Sequence, residues 1–445
     1  MRSAINTVGN CHAVSGALPI SSRMLLFPIV IFELYLNFGL LLFFFGPLDY
    51  QVLHSVLLPL YLIAAHVCLY LGYRTAIRRQ PKAYSGVIPV KLLIWLSIIS
   101  VFVVALIRLI PAVDSIADIP RAIFAALMNL SLAYHEKFEI DVLFGVQRYM
   151  FWCFAFAPLM VPLVVAYWKR LSGITKISAV LVLFWDIVYW IVVGTTKGIA
   201  DACILLPLMV VCGYPHFFIR RLSARKKILL GTTAIMGVLI TIMFFSNAKG
   251  THELDLNQVA IGSVVRYESL NGLPTWLGAS STLLTGYMVQ GYHGLDLSFS
   301  QPFVWAYGGG HSPFFLGPLI QDAQGNTALS LSYPFRIDAS EGWEPLGNWH
   351  SIYPWIASDI TFSGTLLFVF SIGFLYGLAW IDWLIKKNPL AFAMFYQLSL
   401  ILLYFPCNNF QILGDVGVLG FVAWLTIWLF TRTNSLFVDP MGLQL

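Results

Sequence analysis

The sequence predicts an all-α, polytopic integral membrane protein of about ten transmembrane helices. Three observations carry that prediction: an apolar composition, apolar runs of spanning length, and a one-sided distribution of Lys and Arg. Of the 445 residues, 59% are hydrophobic and only 11% are charged, and the mean hydropathy is +0.79. Such a chain has lipid for most of its solvent. Its net charge of +5 sits at the ends of apolar runs, where basic side chains orient helices, so it carries no nucleic-acid signal. Cys11, Cys68, Cys153, Cys203, Cys212 and Cys407 lie in the N-terminal tail or in apolar runs, without metal-ligand spacing. That pattern argues against a disulfide scaffold and against a zinc site.

Residues 1–23 are polar and lack the small-residue cleavage pattern of a removable signal. Runs of roughly twenty apolar residues, enough to cross about 30 Å of hydrocarbon, then begin near Met24, Val52, Pro89, Tyr149, Ile174, Ile199, Lys227, Thr361, Leu390 and Ile412. Cytoplasmic loops hold the excess of basic residues. Arg74, Arg78, Arg79, Lys82, Lys91, Lys169, Arg170, Lys176, Arg220, Arg221, Arg225, Lys226, Lys227, Lys386, Lys387 and Arg432 all fall on the side of the N-terminus, which makes both termini cytoplasmic. The other side holds Asp49, residues 114–147, the GTTKG turn at 194–198, a long segment over 247–352 and the turn at Asn408. Residues 273–299 are apolar but interrupted by Pro and Gly, and a crossing there would turn Lys386, Lys387 and Arg432 outward. This stretch is therefore predicted to be re-entrant or interfacial. Residues 119–134, with Ile123, Leu127 and Leu130 on one helical face, are predicted to lie in the interface. No internal repeat appears, so the chain reads as a single membrane domain, 1–445, with an elaborated outer loop over 247–352.

A loop of that length in a compact membrane protein needs a binding or catalytic reason. It holds His252, His293, His311 and His350, four of the nine histidines. The GGGH at 308–311 lacks the Lys and Ser or Thr of a phosphate-binding loop and reads as a bend that brings backbone close to a ligand or neighbour. Cations on the outer side are few: Arg121, Lys137, Arg148, Lys197, Lys249, Arg266 and Arg336. Lys197 opens a helix whose free N–H groups and dipole favour an anion, or else it pairs with Asp201 one turn later. Arg266 and Arg336 present forks suited to phosphate oxygens, or else form loop ion pairs with Glu268 and Asp338. Together Lys197, Arg266 and Arg336, with Lys249 beside them, would clamp a pyrophosphate.

The loop ends in GNWHSIYPWIASDITFSG. Trp343, Trp349, Tyr353 and Trp355 fit an interfacial belt and equally a carbohydrate surface, since aromatic faces and indole donors suit sugar rings. Tyr292 and Asp359 join that set. His350 is the candidate general base at neutral pH, with His293 and Glu341 as substitutes. Asp359 is costly near hydrocarbon unless it pairs or faces a wet cavity.

The succession GTTKG, VRYESL, LTGYMVQGYHGLDLSFSQPFVWAYGGGHS and NWHSIYPWIASDITFSGTLLFVFSIGFLYG, over the second half of the chain, resembles the bacterial oligosaccharide repeat-unit polymerases, the O-antigen polymerases of the Wzy type. The resemblance implies an all-helical inner-membrane glycosyltransferase with a large periplasmic loop. It implies undecaprenyl-pyrophosphate-linked oligosaccharide as both donor and acceptor, no nucleotide sugar, no cofactor and no established metal, and a chain-length regulator protein as an associated partner. In that chemistry Lys197, Arg266 and Arg336 hold the departing pyrophosphate, and an acceptor hydroxyl activated by His350 or a nearby carboxylate attacks the anomeric carbon with inversion. Lys197 stands where related polymerases and ligases often show Arg, which keeps the charge and gives up the bidentate fork. Two other classes share parts of the pattern. One is the O-antigen ligase, which transfers finished chains to lipid A core; the other is a lipid-linked oligosaccharide flippase or transporter, for which Glu33 and Asp186 are the midplane candidates.

Overall fold

Hydrocarbon offers no partner to a free backbone group, so an apolar run of spanning length must close each N–H onto its own carbonyl four residues back. The computed structural model describes residues 21–109, 116–128, 151–192, 197–214, 232, 263–266, 275–313, 315–317, 319–320, 328–345 and 348–433, and these are mostly helical. Ser21 caps α1 (Ser22–Phe45), its side chain accepting from the Met24 amide. A three-residue strand, β1 (Leu48–Tyr50), leads to α2 (Leu57–Ala76), and β2 (Ala83–Tyr84) leads to α3 (Val90–Leu109) and the short α4 (Ile119–Met128). Next come α5 (Phe151–Phe156), α6 (Met160–Tyr167), α7 (Gly173–Val192), α8 (Lys197–Gly213) and β3 (Ser263–Val265). The remainder is α9 (Thr275–Ser298), α10 (Tyr333–Glu341), α11 (Ile352–Lys386), α12 (Pro389–Leu403), α13 (Phe410–Leu413), α14 (Asp415–Thr431) and β4 (Arg432–Thr433).

Among the described residues six helices are long and apolar enough to cross a membrane: α1, α2, α3, the stretch Cys153–Arg170 through α5 and α6, α7 and α11. The chain is thus an all-α membrane protein. The expected runs at Ile199, Leu390 and Ile412 form shorter helices, α8 of 17, α12 of 15 and α14 of 17 residues. A short α12 is tolerable because it is buried along nearly its whole length by protein, so its ends need no lipid depth. The run expected near Lys227 lies outside the described residues. Close backbone approach joins α2 to α11: a Cβ on Gly72 would stand 2.0 Å from the Phe370 carbonyl, and one on Gly373 would stand 2.1 Å from the Leu69 carbonyl. Small residues at such a crossing replace the hydrophobic drive that lipid cannot supply.

The bundle has two distinct ends. At one, Trp380 Nε1 donates to the Met24 carbonyl at 3.0 Å, Trp383 Nε1 to Cys212 at 3.0 Å, and Arg432 Nε to Asp382 at 2.7 Å. Asp382 also accepts from the Lys82 amide, and β2 pairs antiparallel with β4 beside it. The Lys- and Arg-rich connections at Arg74–Lys82, Lys386–Lys387 and Arg432 therefore share this end. At the other end β1 pairs antiparallel with β3, Leu48 opposite Val265, and the Leu53 and His54 amides donate to Asp296 at 2.6 and 3.0 Å.

Residues 275–298, in the stretch expected to be re-entrant or interfacial, form one continuous helix of 24 residues. Its glycines are absorbed because neighbours come close there: a Cβ on Gly291 would stand 2.3 Å from the Pro406 carbonyl and 2.5 Å from the Ser351 amide, and α9 lies across the β1–β3 end with Gly286 near the Leu48 and Tyr50 side chains, Tyr292 near Gly39, and Gly294 near the His350 ring. The helix α4 packs Ile119, Ala122 and Ile123 against α7 at Trp185, Val188, Tyr189 and Val192, while Leu127, expected on the same face, is exposed. Finally, α11 breaks at Ile360 (φ −133°, ψ 15°) and Thr361 (φ 67°, ψ 167°), at the residue where the apolar run begins. Thr361 Oγ1 then caps the spanning half by accepting from the Gly364 amide. A β-branched residue at positive φ is strained backbone, which surrounding structure must hold in place.

Candidate functional site

The end of the bundle opposite the clustered Lys and Arg gathers most of the residues singled out in the sequence, in three separate environments. The first is sealed. α9 presents Tyr292, His293 and Gly294 to the segment that carries Trp343 and His350, and a Cβ at Gly294 would stand 2.7 Å from His350 Nδ1. His350 is fully buried, and neither ring nitrogen has a hydrogen-bond partner. Burial pushes its pKa down to about 3. His293 stacks on Tyr50 at 5.3 Å and meets Trp343 edge-on at 4.9 Å, and burial pushes it down to about 4. Trp355 lies edge-on to His350 at 5.9 Å, and Tyr353 packs against Tyr61 and Phe405 at 5.7 and 6.0 Å. Trp349 is half-buried against Tyr287 at 4.3 Å. A general base must reach the proton that it abstracts, and two enclosed neutral imidazoles fit packing better than proton transfer. Glu341, at the end of α10, is exposed and stands apart from this layer.

The second environment is the set of cations, each engaged on its own partner. The Arg266 guanidinium donates to the Phe44 carbonyl at 2.9 Å and to Asp49 at 2.5 Å, pinning the turn after α1. Arg336 donates to the Pro302 carbonyl at 2.7 Å and lies over the Tyr333 ring at 4.9 Å; burial lowers its pKa. Lys197 donates to Asp201 at 2.5 Å, the pairing one turn later that its spacing allows, and lies over the Tyr404 ring at 5.0 Å. Tyr404 donates to the other Asp201 oxygen. Lys249 and Glu268 lie outside the described residues. Lys197, Arg266 and Arg336 each hold a different carboxylate or carbonyl.

The third environment was not assembled by sequence reasoning. Tyr307 (φ 55°) and Gly308 (φ 81°) turn the chain sharply, so that the Gly310 and His311 amides donate to Asp359 at 3.2 and 3.0 Å. His311 Nδ1 lies 2.7 Å from Asp359 Oδ2. Asp359 is the last residue before the break in α11, and its side chain is only 8% exposed, against 24% for His311. Two amides and an imidazole satisfy the carboxylate that hydrocarbon would penalise. A carboxylate at Nδ1 makes that nitrogen the donor and leaves Nε2 with its lone pair. His311 borders a cavity of about 160 Å³ walled by Ile356, Phe368, Ile401, Ile412 and Phe421, with Gln411 as a second polar group. The usable signal in the sequence was a histidine directly after three glycines, together with a carboxylate near the membrane boundary that needed a partner. Their separation of 48 positions in the sequence hid the pairing.

Among the described residues no cluster of three or more His, Cys, Asp or Glu could hold a metal ion. In the His311–Asp359 pair a carboxylate orients an imidazole that borders an apolar cavity, an arrangement suited to proton transfer. No protein-family model, no curated protein and no solved structure matches the chain.

Proposed function

We propose that the chain is an inner-membrane glycosyltransferase that polymerises undecaprenyl-pyrophosphate-linked oligosaccharide units, with His311 as general base and Asp359 as its positioning carboxylate. The observation that carries this reading is the His311–Asp359 pair at 2.7 Å, part-exposed beside an apolar cavity; the sequence resemblance to repeat-unit polymerases supplies the reaction. An acceptor sugar hydroxyl attacks the anomeric carbon of the donor chain. The new C–O bond forms as the bond from that carbon to the lipid pyrophosphate breaks, the bonding pair leaves with the pyrophosphate, and the hydroxyl proton passes to His311 Nε2. Donor and acceptor are both lipid-linked, so chemistry at the bilayer boundary beside apolar walls fits the substrate. The topology that goes with this reading has ten spans, both termini cytoplasmic and the 247–352 segment periplasmic, from the Lys and Arg distribution. A chain-length regulator protein would dock on this assembly.

A second reading, transport of lipid-linked sugar, is favoured by one observation. Glu33 and His66 pair at 2.7 Å midway along α1 and α2, with Glu33 Oε1 and His66 Nε2 buried and unpartnered, a costly arrangement at that depth. One experiment separates the readings. Deletion of the gene should leave surface lipid capped with single repeats; the wild-type chain should restore a long ladder and His311→Ala should not, at equal protein abundance. A normal ladder from His311→Ala overturns the proposed base. Loss of all O-chain on deletion points to ligation or transport instead.

A further inference from the structure

A second cavity, of about 120 Å³, lies between α6, α7, α8 and α12. Its polar lining is Asp186, Trp190, Asp201 and Tyr396, on an apolar floor that includes Leu206. Trp190 Nε1 donates to Asp186 at 3.2 Å, and the indole lies so close to α8 that a Cβ on Gly198 would stand 2.1 Å from it. The second glycine of GTTKG is thereby explained: it seats an aromatic platform at the cavity wall. Phe410 of α13 faces Lys197 at 6.0 Å, while Gln411 and Ile412 line the His311 side.

The charges decide what such a cavity accepts. Lys197 is engaged by Asp201, and Asp186 adds a second carboxylate, so one cation faces two anions. A pyrophosphate would be repelled there. Carboxylates only accept hydrogen bonds, so they call for a ligand rich in donors. An indole and a phenol beside them suit the apolar face of a ring. Hydroxyl donors around a ring with apolar faces describe a sugar, neutral or carrying an amino group.

We infer that this cavity is a carbohydrate subsite, holding one sugar of an oligosaccharide chain by its hydroxyls on Asp186 and Asp201 and by its ring face on Trp190. The inference rests on the glycosyltransferase reading and reassigns Lys197 from pyrophosphate contact to setting Asp201.

The test uses full-length protein in lipid nanodiscs and, as probe, the free oligosaccharide unit released by mild acid from the envelope polysaccharide of the host. Saturation-transfer NMR and titration should give saturable binding, weakened at least tenfold in Asp186→Asn and in Trp190→Phe, with inorganic pyrophosphate failing to compete. Size-exclusion profile and melting temperature confirm that each variant is folded. Absent binding by the wild-type chain, unchanged binding in both folded variants, or competition by pyrophosphate overturns the inference. Polymer formation from lipid-linked units is read separately: binding without polymer defeats the polymerase reading alone, and polymer without Asp186-dependent binding defeats the subsite alone.

Discussion

Replacing Asp359 by Asn keeps the side-chain shape and removes the charge, which makes it a sharp probe of the pair with His311. The wild-type carboxylate accepts from two amides and from the His311 ring. An Asn oxygen can still accept from one amide, while its NH₂ then faces a donor. Hydrogen bonds to charged groups contribute roughly 1.5–3 kcal/mol each, and a partial replacement should cost about 2–3 kcal/mol of stability. The catalytic loss is expected to be larger. Without the carboxylate the imidazole no longer holds its proton on Nδ1, and general-base catalysis contributes roughly 10²–10⁴-fold, equivalent to about 3–5 kcal/mol of barrier. Residues acting as a unit are not additive, so the double variant His311→Ala with Asp359→Asn should be no slower than His311→Ala alone. The assay is polymer formation from lipid-linked units by purified protein, normalised to folded protein. A His311→Ala enzyme within threefold of wild type, or losses that multiply in the double variant, would refute the reasoning.

Three further outcomes follow from the same geometry. Because Arg266 is in a partly exposed ion pair with Asp49, Arg266→Ala should cost under about 1 kcal/mol of stability and leave activity within a few-fold; a hundredfold loss would restore it to a pyrophosphate clamp. Burial holds His293 at about 4 and His350 at about 3, below the ordinary imidazole value of about 6.5. Their contribution to stability is therefore complete above about pH 6.5 and is lost as the pH falls towards those values, by about 1.4 kcal/mol per pH unit for each. The melting temperature should drop between pH 7 and pH 5, and less so in His350→Leu; a pH-independent melt would contradict the sealed layer. A cysteine at exposed Glu341 should react with a membrane-impermeant maleimide once the outer membrane is opened, and one at exposed Val87, at the opposite end, only after the inner membrane is breached. The reverse pattern would invert the topology.

Helix positions were legible in the sequence because hydrocarbon forces each spanning segment to satisfy its own backbone, a local demand written as a local run of apolar residues. The break at Thr361 coincides with the start of such a run, and Lys197 pairs with Asp201 through i,i+4 spacing alone. One end of the bundle was legible as well, since the basic connections at Arg74–Lys82, Lys386–Lys387 and Arg432 share it. What the fold alone decided was every pairing across sequence distance. Arg266 holds Asp49, 217 residues away, and His311 holds Asp359, 48 residues away; no periodicity relates such positions, because the chain between them is free to fold in many ways. The same applies to His350. Its sequence neighbours Trp349 and Tyr353 suit a wet sugar surface as well as a dry core, and only the approach of α9 at Gly294 closes water out and leaves the imidazole neutral.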